Sequence, residues 1–129
     1  MTVWRAVAEA LKAEGVPHIF GLPGNPLHLV DDVDKHTDIK IVLVRHEHSG
    51  VACAYAYARL TGRPAVCFGN PGPGITNMVT GLLEVTSGCL PVVCLTNGVF
   101  LDGVAPADLP RPVEIIPTDG LSLRNALLQ

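Results

Sequence analysis

The residues with the clearest potential for chemistry are Arg45-His46-Glu47-His48, which follow an apolar run and precede a helical pattern of small residues. The local pattern leaves two interpretations of Glu47 open. As a first-turn carboxylate it would stabilise its helix by about 0.3–1 kcal/mol through the helix dipole. As a partly buried carboxyl group with a raised pKa it could instead exchange a proton with a ligand.

The two histidines beside Glu47 form an H-x-H pair, with Cys53 nearby. Metal ligands on a helix favour a spacing of three or four residues, and no further His or Asp continues the pattern, so no metal site is predicted. The cysteines show no C-x-x-C spacing and lie among apolar or small residues, which predicts buried, reduced thiols. They are Cys53, Cys67, Cys89 and Cys94.

Two turns rich in glycine and proline, residues 21–26 and 69–74, could bring backbone close to a ligand. Neither reads G-x-G-x-x-G, and neither carries the Lys-Ser/Thr of a P-loop, so a nucleotide phosphate site is poorly supported. Gly72-Pro73-Gly74 either allows such a close approach or only caps the helix that follows.

Alternating helices and strands must position these turns. Helical spacing predicts helices over residues 3–14, 26–33, 46–60 and 75–86, and apolar runs predict strands over residues 16–20, 39–44, 64–68 and 90–96. The continuous apolar run at 39–44 is typical of a parallel strand covered on both faces. The alternation predicts an α/β fold, a three-layer sandwich with a mainly parallel sheet and helices on both faces. The turns at 21–25, 45–48 and 69–74 then follow the carboxyl ends of strands, where such sheets bind ligands.

Composition limits the class of protein. The chain has 129 residues, of which 48% are hydrophobic and 16% charged, which fits one domain. The net charge of −3 and the scattered Lys and Arg form no basic stripe, so we expect no nucleic-acid partner. No apolar run reaches the ~18 residues of a membrane-spanning helix, and the first residues lack the layout of a signal peptide. We therefore expect no membrane partner and a cytoplasmic location.

Five segments over residues 1–99 together resemble, in order, the pyrimidine-binding (Pyr) domain of thiamine-diphosphate-dependent enzymes, in the superfamily of acetolactate synthase, benzoylformate decarboxylase and benzaldehyde lyase. On this resemblance residues 1–99 are the Pyr-type domain with the thiamine-diphosphate-binding fold. Residues 100–129 are its proline-rich crossing segment and a closing helix near 121–128. The matching segments are Gly15-Val-Pro-His-Ile-Phe-Gly-Leu-Pro-Gly24, Arg45-His46-Glu47, Tyr57-Ala-Arg-Leu-Thr-Gly62, Gly72-Pro-Gly-Ile-Thr-Asn77 and Leu90-Pro-Val-Val-Cys-Leu-Thr96.

The resemblance implies roles for particular residues. In this family the glutamate that corresponds to Glu47 hydrogen-bonds N1′ of the cofactor aminopyrimidine and promotes the 4′-imino tautomer, which removes the proton from thiazolium C2. A dry pocket would favour the neutral carboxyl and let it share that proton. The pyrimidine pocket is implied for Pro23, Gly24 and Asn77, together with Glu47. Substrate-facing positions are implied for Asn25 and Asn70, with His28 as a weaker candidate.

The chain also departs from the family pattern. Asn70-Pro71 replaces the more usual Thr-Ser or His-Ser, and an Asn cannot perform the acid-base chemistry of a His. Tyr55-Ala56 stands where a small acidic or Gly pair is usual, and Gly88 where Asp is common. No Gly-Asp-Gly occurs in the sequence, although the family holds Mg²⁺ and the diphosphate with a G-D-G…N motif.

These features predict the Pyr domain or subunit of a thiamine-diphosphate-dependent 2-keto acid decarboxylase or carboligase, a lyase or transferase that is inactive as an isolated chain. A partner diphosphate-binding domain would hold Mg²⁺ in a homo- or hetero-oligomer, and the substrate would be a small 2-keto acid. The chain is then a fragment, a subunit of a split enzyme or a relic. The alternatives are a non-catalytic binding or scaffold protein that retains the Pyr fold, and a generic doubly wound nucleotide-binding domain.

Overall fold

The computed structural model of the chain describes residues 2–24 and 27–96. Helices and strands alternate through this part of the chain, as the sequence pattern predicts, and belong to one compact unit, Met1–Thr96. In chain order the elements are α1 (Val3–Ala13), β1 (His18–Gly21), α2 (Leu27–His36), β2 (Lys40–Leu43), α3 (Glu47–Thr61), β3 (Ala65–Gly69), α4 (Pro73–Ser87) and β4 (Val92–Thr96). The crossing segment and closing helix predicted for residues 100–129 lie outside the described residues.

The four strands form one parallel sheet in the order β2-β1-β3-β4. β1 lies between β2 and β3, so that Phe20 is opposite both Val42 and Cys67. Because the strands run in one direction, the carboxyl ends of β1, β2 and β3 are neighbours at the same end of the sheet. The segments that follow these three strands therefore start side by side at that end of the sheet.

Two helices cover each face of the sheet, which confirms the predicted three-layer α/β architecture. Consecutive strand residues point to opposite faces, and accordingly Ile19 packs with α1 and α2 whereas Phe20 packs with α3 and α4. The buried cluster on the first face comprises Ala8, Val16, Ile19, Leu29, Val33, Ile39, Val66 and Phe68. The buried cluster on the second face comprises Phe20, Val51, Ala54, Ala58, Ala65, Cys67, Met78 and Val85.

The strand covered on both faces is β3, and not the run at 39–44 for which this was predicted. All five residues of β3 are buried, whereas β2 lies at the edge of the sheet formed by the described strands, with its first and last residues exposed. Leu43 is 59% exposed. The prediction failed because a continuous apolar run gives the hydrophobicity of a strand but not its position in the strand order, which depends on packing against distant segments.

Helix ends differ from the predicted bounds by a few residues. α2 continues three residues beyond the predicted end, to His36, and an ion pair of 2.7 Å between Lys35 Nζ and Asp31 Oδ1 spans its last turn. α4 begins at Pro73, two residues earlier than predicted, because proline suits the first helical position. None of the helices in the described residues is both long and apolar enough to cross a membrane.

The four cysteines are free thiols with different environments. Cys67 is buried and Cys53 and Cys94 are half-buried, but Cys89 is exposed, so the prediction of buried thiols is wrong for Cys89. Cys89 lies just beyond α4 with a φ of 50°, in a tight turn where its side chain contributes nothing to the core. Contact between the two neighbouring thiols, together with burial, raises the pKa of Cys67, and the same contact lowers the pKa of Cys94.

Candidate active site

Glu47 is the first residue of α3 and is only 5% exposed. Chain geometry at His46 places it there: His46 has extended backbone (φ −152°, ψ 137°), and its Nδ1 accepts a hydrogen bond of 3.3 Å from the backbone N–H of His48. His46 is thus the N-cap of α3, a role that the sequence reading missed because Ser, Thr, Asp and Asn are the usual cap residues. The cap turns the chain so that Glu47 enters the protein, whereas His46 stays exposed.

Two side-chain amides hold the Glu47 carboxylate. Asn77 Nδ2 donates a hydrogen bond of 3.1 Å to Oε2, and Asn70 Nδ2 donates one of 3.4 Å to Oε1. Asn70 directly follows β3, and Asn77 lies in the second turn of α4. Glu47, which follows β2, is therefore bound by two donors that follow β3. The parallel sheet brings these residues together although they lie far apart in the sequence.

The space around the carboxylate depends on glycines. A Cβ at Gly74 would lie 2.8 Å from Glu47 Oε1 and 2.9 Å from Asn70 Cβ, closer than real Cβ atoms approach other atoms. A Cβ at Gly24 would overlap the side-chain amide of Asn70. In the Gly72-Pro73-Gly74 turn, Gly72 is the N-cap of α4 with a φ of 71°, and Gly74 packs closely against the side chains of Glu47 and Asn70. Close approach of this backbone to a ligand stays a prediction.

The pKa of Glu47 is lowered, which corrects the raised pKa expected from its burial. Burial alone raises the pKa, and it is the largest single influence. Hydrogen bonds from Asn77, from the backbone N–H of Glu47 and from Asn70, with a smaller influence of His46, outweigh it because they favour the charged form. Glu47 is therefore an ionised carboxylate at neutral pH.

An ionised carboxylate with this surrounding can bind a protonated ring nitrogen. Each carboxylate oxygen has two acceptor positions, and the amides of Asn70 and Asn77 occupy one on each oxygen. The glycine at position 74 keeps a side chain away from Oε1. The remaining acceptor positions of the carboxylate can therefore accept a hydrogen bond from an N–H group of a ligand.

The structure brings some of the predicted site residues together. Gly24, Glu47, Asn70 and Asn77 form one contiguous group through the contacts above. Pro23 immediately precedes this group and is exposed, whereas Asn25 lies outside the described residues.

His28 lies apart from that group. It is exposed in the first turn of α2 and lines an open groove of about 550 Å³ together with residues of α2 and β2. Neither Glu47 nor Asn70 lines this groove.

The H-x-H pair has no metal-binding partners in the described part of the chain, where no three His, Cys, Asp or Glu side chains converge. The backbone hydrogen bond to His46 Nδ1 gives this histidine a structural use instead. Among the described residues, the hydrogen-bond partners of the Glu47 side chain are amide groups. Their N–H groups donate to the carboxylate and offset part of its negative charge.

Comparison with known proteins gives a consistent result. Residues 1–113 match the family described as "Thiamine pyrophosphate enzyme, N-terminal TPP binding domain". The chain is 42% identical over 98 residues to the acetolactate synthase large subunit of Parasynechococcus marenigrum (strain WH8102), covering 73% of this chain. It is 40% identical over 117 residues to the acetolactate synthase isozyme 2 large subunit of Escherichia coli (strain K12), covering 91% of this chain.

The chain is much shorter than these relatives and spans 16% and 21% of their lengths, respectively. Among solved structures, it resembles a protein from Mycobacterium smegmatis assigned as a thiamin diphosphate-dependent enzyme, with a TM-score of 0.67 and 26% identity. That match covers 74% of this chain and 18% of the other.

Proposed function

The chain belongs to the family of N-terminal thiamine pyrophosphate binding domains of thiamine pyrophosphate enzymes, and from this premise we propose that it forms the pyrimidine half of the active site of a 2-keto acid decarboxylase or carboligase. The observation that carries this proposal is the buried Glu47 carboxylate, which two amides hold at the carboxyl end of the sheet. When bound, thiamine diphosphate supplies the electron sink for bond cleavage next to a carbonyl group.

Glu47 is the proposed catalytic residue. Because its pKa is lowered, Glu47 would meet the aminopyrimidine as an anion and would accept a hydrogen bond at N1′. The carboxylate would thereby stabilise a proton taken up there from solvent. This differs from a neutral glutamic acid that delivers its own proton, the arrangement expected from burial alone.

The residues around Glu47 have positioning and binding roles in this proposal. Asn77 and Asn70 orient the carboxylate, and Gly24 and Pro23 line the pyrimidine pocket with backbone. Asn70 remains a proposed substrate-facing residue. Its side chain lies beside Gly24 and donates a hydrogen bond to Glu47. Asn25 remains a proposed substrate-facing residue.

His28 is the weaker of the substrate-facing candidates. It lines a groove between α2 and β2 rather than the surroundings of Glu47.

A second domain is required for the cofactor diphosphate. The sequence contains no Gly-Asp-Gly, the motif with which the family binds Mg²⁺ and diphosphate. We therefore assign Mg²⁺ to a partner diphosphate-binding domain, on the same or another polypeptide, with the cofactor bound between the two domains. A small 2-keto acid is the proposed substrate.

The decisive experiment replaces Glu47 by Gln in the presence of the partner domain and thiamine diphosphate. The amide cannot stabilise positive charge at N1′, so exchange of the cofactor C2 proton, measured by NMR in D₂O, should be abolished while circular dichroism shows an unchanged fold. Glu84→Gln is the matched control, because Glu84 is an exposed carboxylate on α4. Exchange in Glu47→Gln close to that of the control would overturn the assignment of Glu47.

A non-catalytic binding or scaffold protein is the second candidate, favoured by Asn70-Pro71 at a position where the family has other residues. Calorimetry separates the two candidates. Thiamine diphosphate and Mg²⁺ should give heat of binding when the chain and the partner domain are mixed. No heat in mixtures with or without the partner would support the scaffold protein.

A further inference from the structure

Three sulfur-bearing side chains converge beneath α4, close to Gly69, where a Cβ would lie 2.5 Å from Met78 Sδ and 3.3 Å from Glu47 Cγ. Cys67 in β3 and Cys94 in β4 are direct partners in the register of the parallel strands, so their side chains point to the same face. Met78 of α4 packs on that face in the same buried cluster. Met78 and Cys67 have no exposed surface, and Cys94 is half-buried.

Cys94 connects the other two sulfur-bearing residues. Its Sγ lies 3.9 Å from Met78 Sδ, and its thiol interacts with that of Cys67, its partner in the strand register. The other buried residues of the cluster are apolar, and Cys53 packs at its partly buried edge. No group of three or more His, Cys, Asp or Glu side chains forms a metal site in the described part of the chain. The group therefore offers two thiols and one thioether and no oxygen or nitrogen side-chain ligand.

We propose that Cys67, Cys94 and Met78 form a binding site for a soft monovalent metal ion of the Cu(I) class. Thiolate and thioether ligands select such ions over the harder divalent cations. Its ligands differ from the groups that hold Glu47, which are the amides of Asn70 and Asn77, although Met78 Sδ and Glu47 Cγ approach Gly69 from the same side. Binding replaces the two thiol protons: Cu(I) and two thiols give a complex of charge −1 and two released protons, with no change of oxidation state.

The separation of Cys94 Sγ and Met78 Sδ suits a shared ion. Two sulfurs 3.9 Å apart can both lie about 2.3 Å from one ion, which is the length of a metal–thiolate bond. Access is from the side of Cys94, which is the partly exposed member of the group.

A disulfide between the two cysteines is the competing outcome. Neighbouring strands are about 4.7–4.9 Å apart, within the Cα separations of about 4.4–6.8 Å that disulfides span, and Cys67 and Cys94 are in-register partners. A disulfide needs a two-electron oxidant, whereas binding of Cu(I) changes no oxidation state, so exclusion of oxygen separates the two outcomes.

The test uses the full chain with Cys53 and Cys89 replaced by Ser, so that only the two cluster cysteines remain. Cu(I) is added without oxygen as its acetonitrile complex, in competition with a chromophoric Cu(I) chelator. We expect the chain to retain one Cu(I) against the chelator, with three sulfur neighbours at about 2.3 Å by X-ray absorption. In the same background, Cys94→Ser should weaken Cu(I) binding by more than about 100-fold. Loss of a residue that only supports a metal ligand weakens metal binding by at most about 100-fold.

Met78→Leu distinguishes the three-sulfur site from a simple dithiolate pair. The substitution conserves volume and should keep the fold, but it should lower the sulfur count from three to two and weaken binding about tenfold. Unchanged affinity in Cys94→Ser, or an unchanged sulfur count in Met78→Leu, would overturn the proposal, as would formation of a disulfide in place of metal binding.

Protection from alkylation gives a readout that requires no variant. In the unaltered chain, one equivalent of Cu(I) should protect Cys94, the partly exposed thiol of the site, and leave the exposed Cys89 reactive, as located by mass spectrometry. Equal labelling of the four cysteines with and without Cu(I) would also overturn the proposal.

Discussion

Glu47 shows why burial alone does not set the charge of a carboxylate. Its surroundings exclude water, yet amide N–H groups from Asn77 and Asn70 replace the hydrogen bonds that water would make. The identity of this residue could be predicted from the Arg45-His46-Glu47 motif. Its ionisation could not, because the two amides lie 23 and 30 residues further along the chain and reach Glu47 only in the fold.

The lowered pKa of Glu47 predicts how pH affects stability. A carboxyl group with a folded-state pKa below its unfolded value of 4.5 stabilises the protein fully at higher pH, and this contribution is lost as the pH falls through the folded-state pKa. In urea unfolding between pH 7 and pH 3, the wild-type chain should therefore lose stability relative to Glu47→Gln as the pH is lowered below about 4.5. A stability difference that is constant over this range would contradict the lowered pKa.

Gly74→Ala should disrupt the carboxylate without affecting the rest of the helix. The new Cβ would lie 2.8 Å from Glu47 Oε1, so the carboxylate and Asn70 would have to move. We expect weaker cofactor binding together with the partner domain, measured by calorimetry. Gly88→Ala, at the other end of α4, is the control, since its nearest contact would be 3.2 Å and lies far from Glu47 along the helix. Equal cofactor affinities in the two variants would argue against close packing at position 74.

At the scale of elements, the helix ends depend on a few residues with a clear physical reason. α3 ends at Thr61, and Gly62 follows in the left-handed region with a φ of 66°, its N–H donating to the carbonyl of Ala58. Glycine favours such an end, because it adopts that conformation without strain, and the predicted helix over residues 46–60 ends one residue earlier than α3. The sequence did not predict the N-cap at His46, because histidine is not among the usual capping residues.

Gly62 gives a prediction about α3. Space is available for a side chain, because a Cβ at Gly62 would meet nothing within 4 Å, so only backbone strain should matter. Gly62→Ala should lower the free energy of unfolding by about 1–2 kcal/mol, and Gly62→Asn by less, since Asn tolerates the left-handed region better. Urea unfolding of both variants measures the difference. Equal losses for Ala and Asn would show that strain at φ is not the cause.

At the scale of the molecule, the sheet separates two hydrophobic clusters. Val33 belongs to the cluster beneath α1 and α2, and Val51 belongs to the cluster beneath α3 and α4. Both side chains have no exposed surface. The separation follows from the alternation of strand side chains, which sends neighbouring residues such as Ile19 and Phe20 to different faces.

The two clusters should respond independently to mutation. Val33→Ala and Val51→Ala should each cost about 2 kcal/mol, because each removes two buried methyl groups and leaves a cavity. The double variant should show the sum within about 0.5 kcal/mol, as expected for sites without shared partners. Chemical denaturation of the three variants tests this, and a larger departure from additivity would indicate coupling through the sheet.

The sequence by itself determined the alternation of helices and strands, the three-layer class and the turns that carry the site, because these depend on local periodicity and on residues such as Gly and Pro with special backbone preferences. The resemblance of its motifs also identified the family, and it singled out Glu47 and Asn77. Only the tertiary structure decided that β3 and not β2 is the fully covered strand, because strand order results from packing between distant segments.

The charge of Glu47 and the grouping of three sulfur-bearing side chains likewise depended on the tertiary structure. Asn70 and Asn77 follow a different strand from Glu47, and Cys67, Met78 and Cys94 come from three successive elements. No local pattern encodes such contacts. They arise because parallel strands place their carboxyl ends, and their in-register partners, next to one another in space.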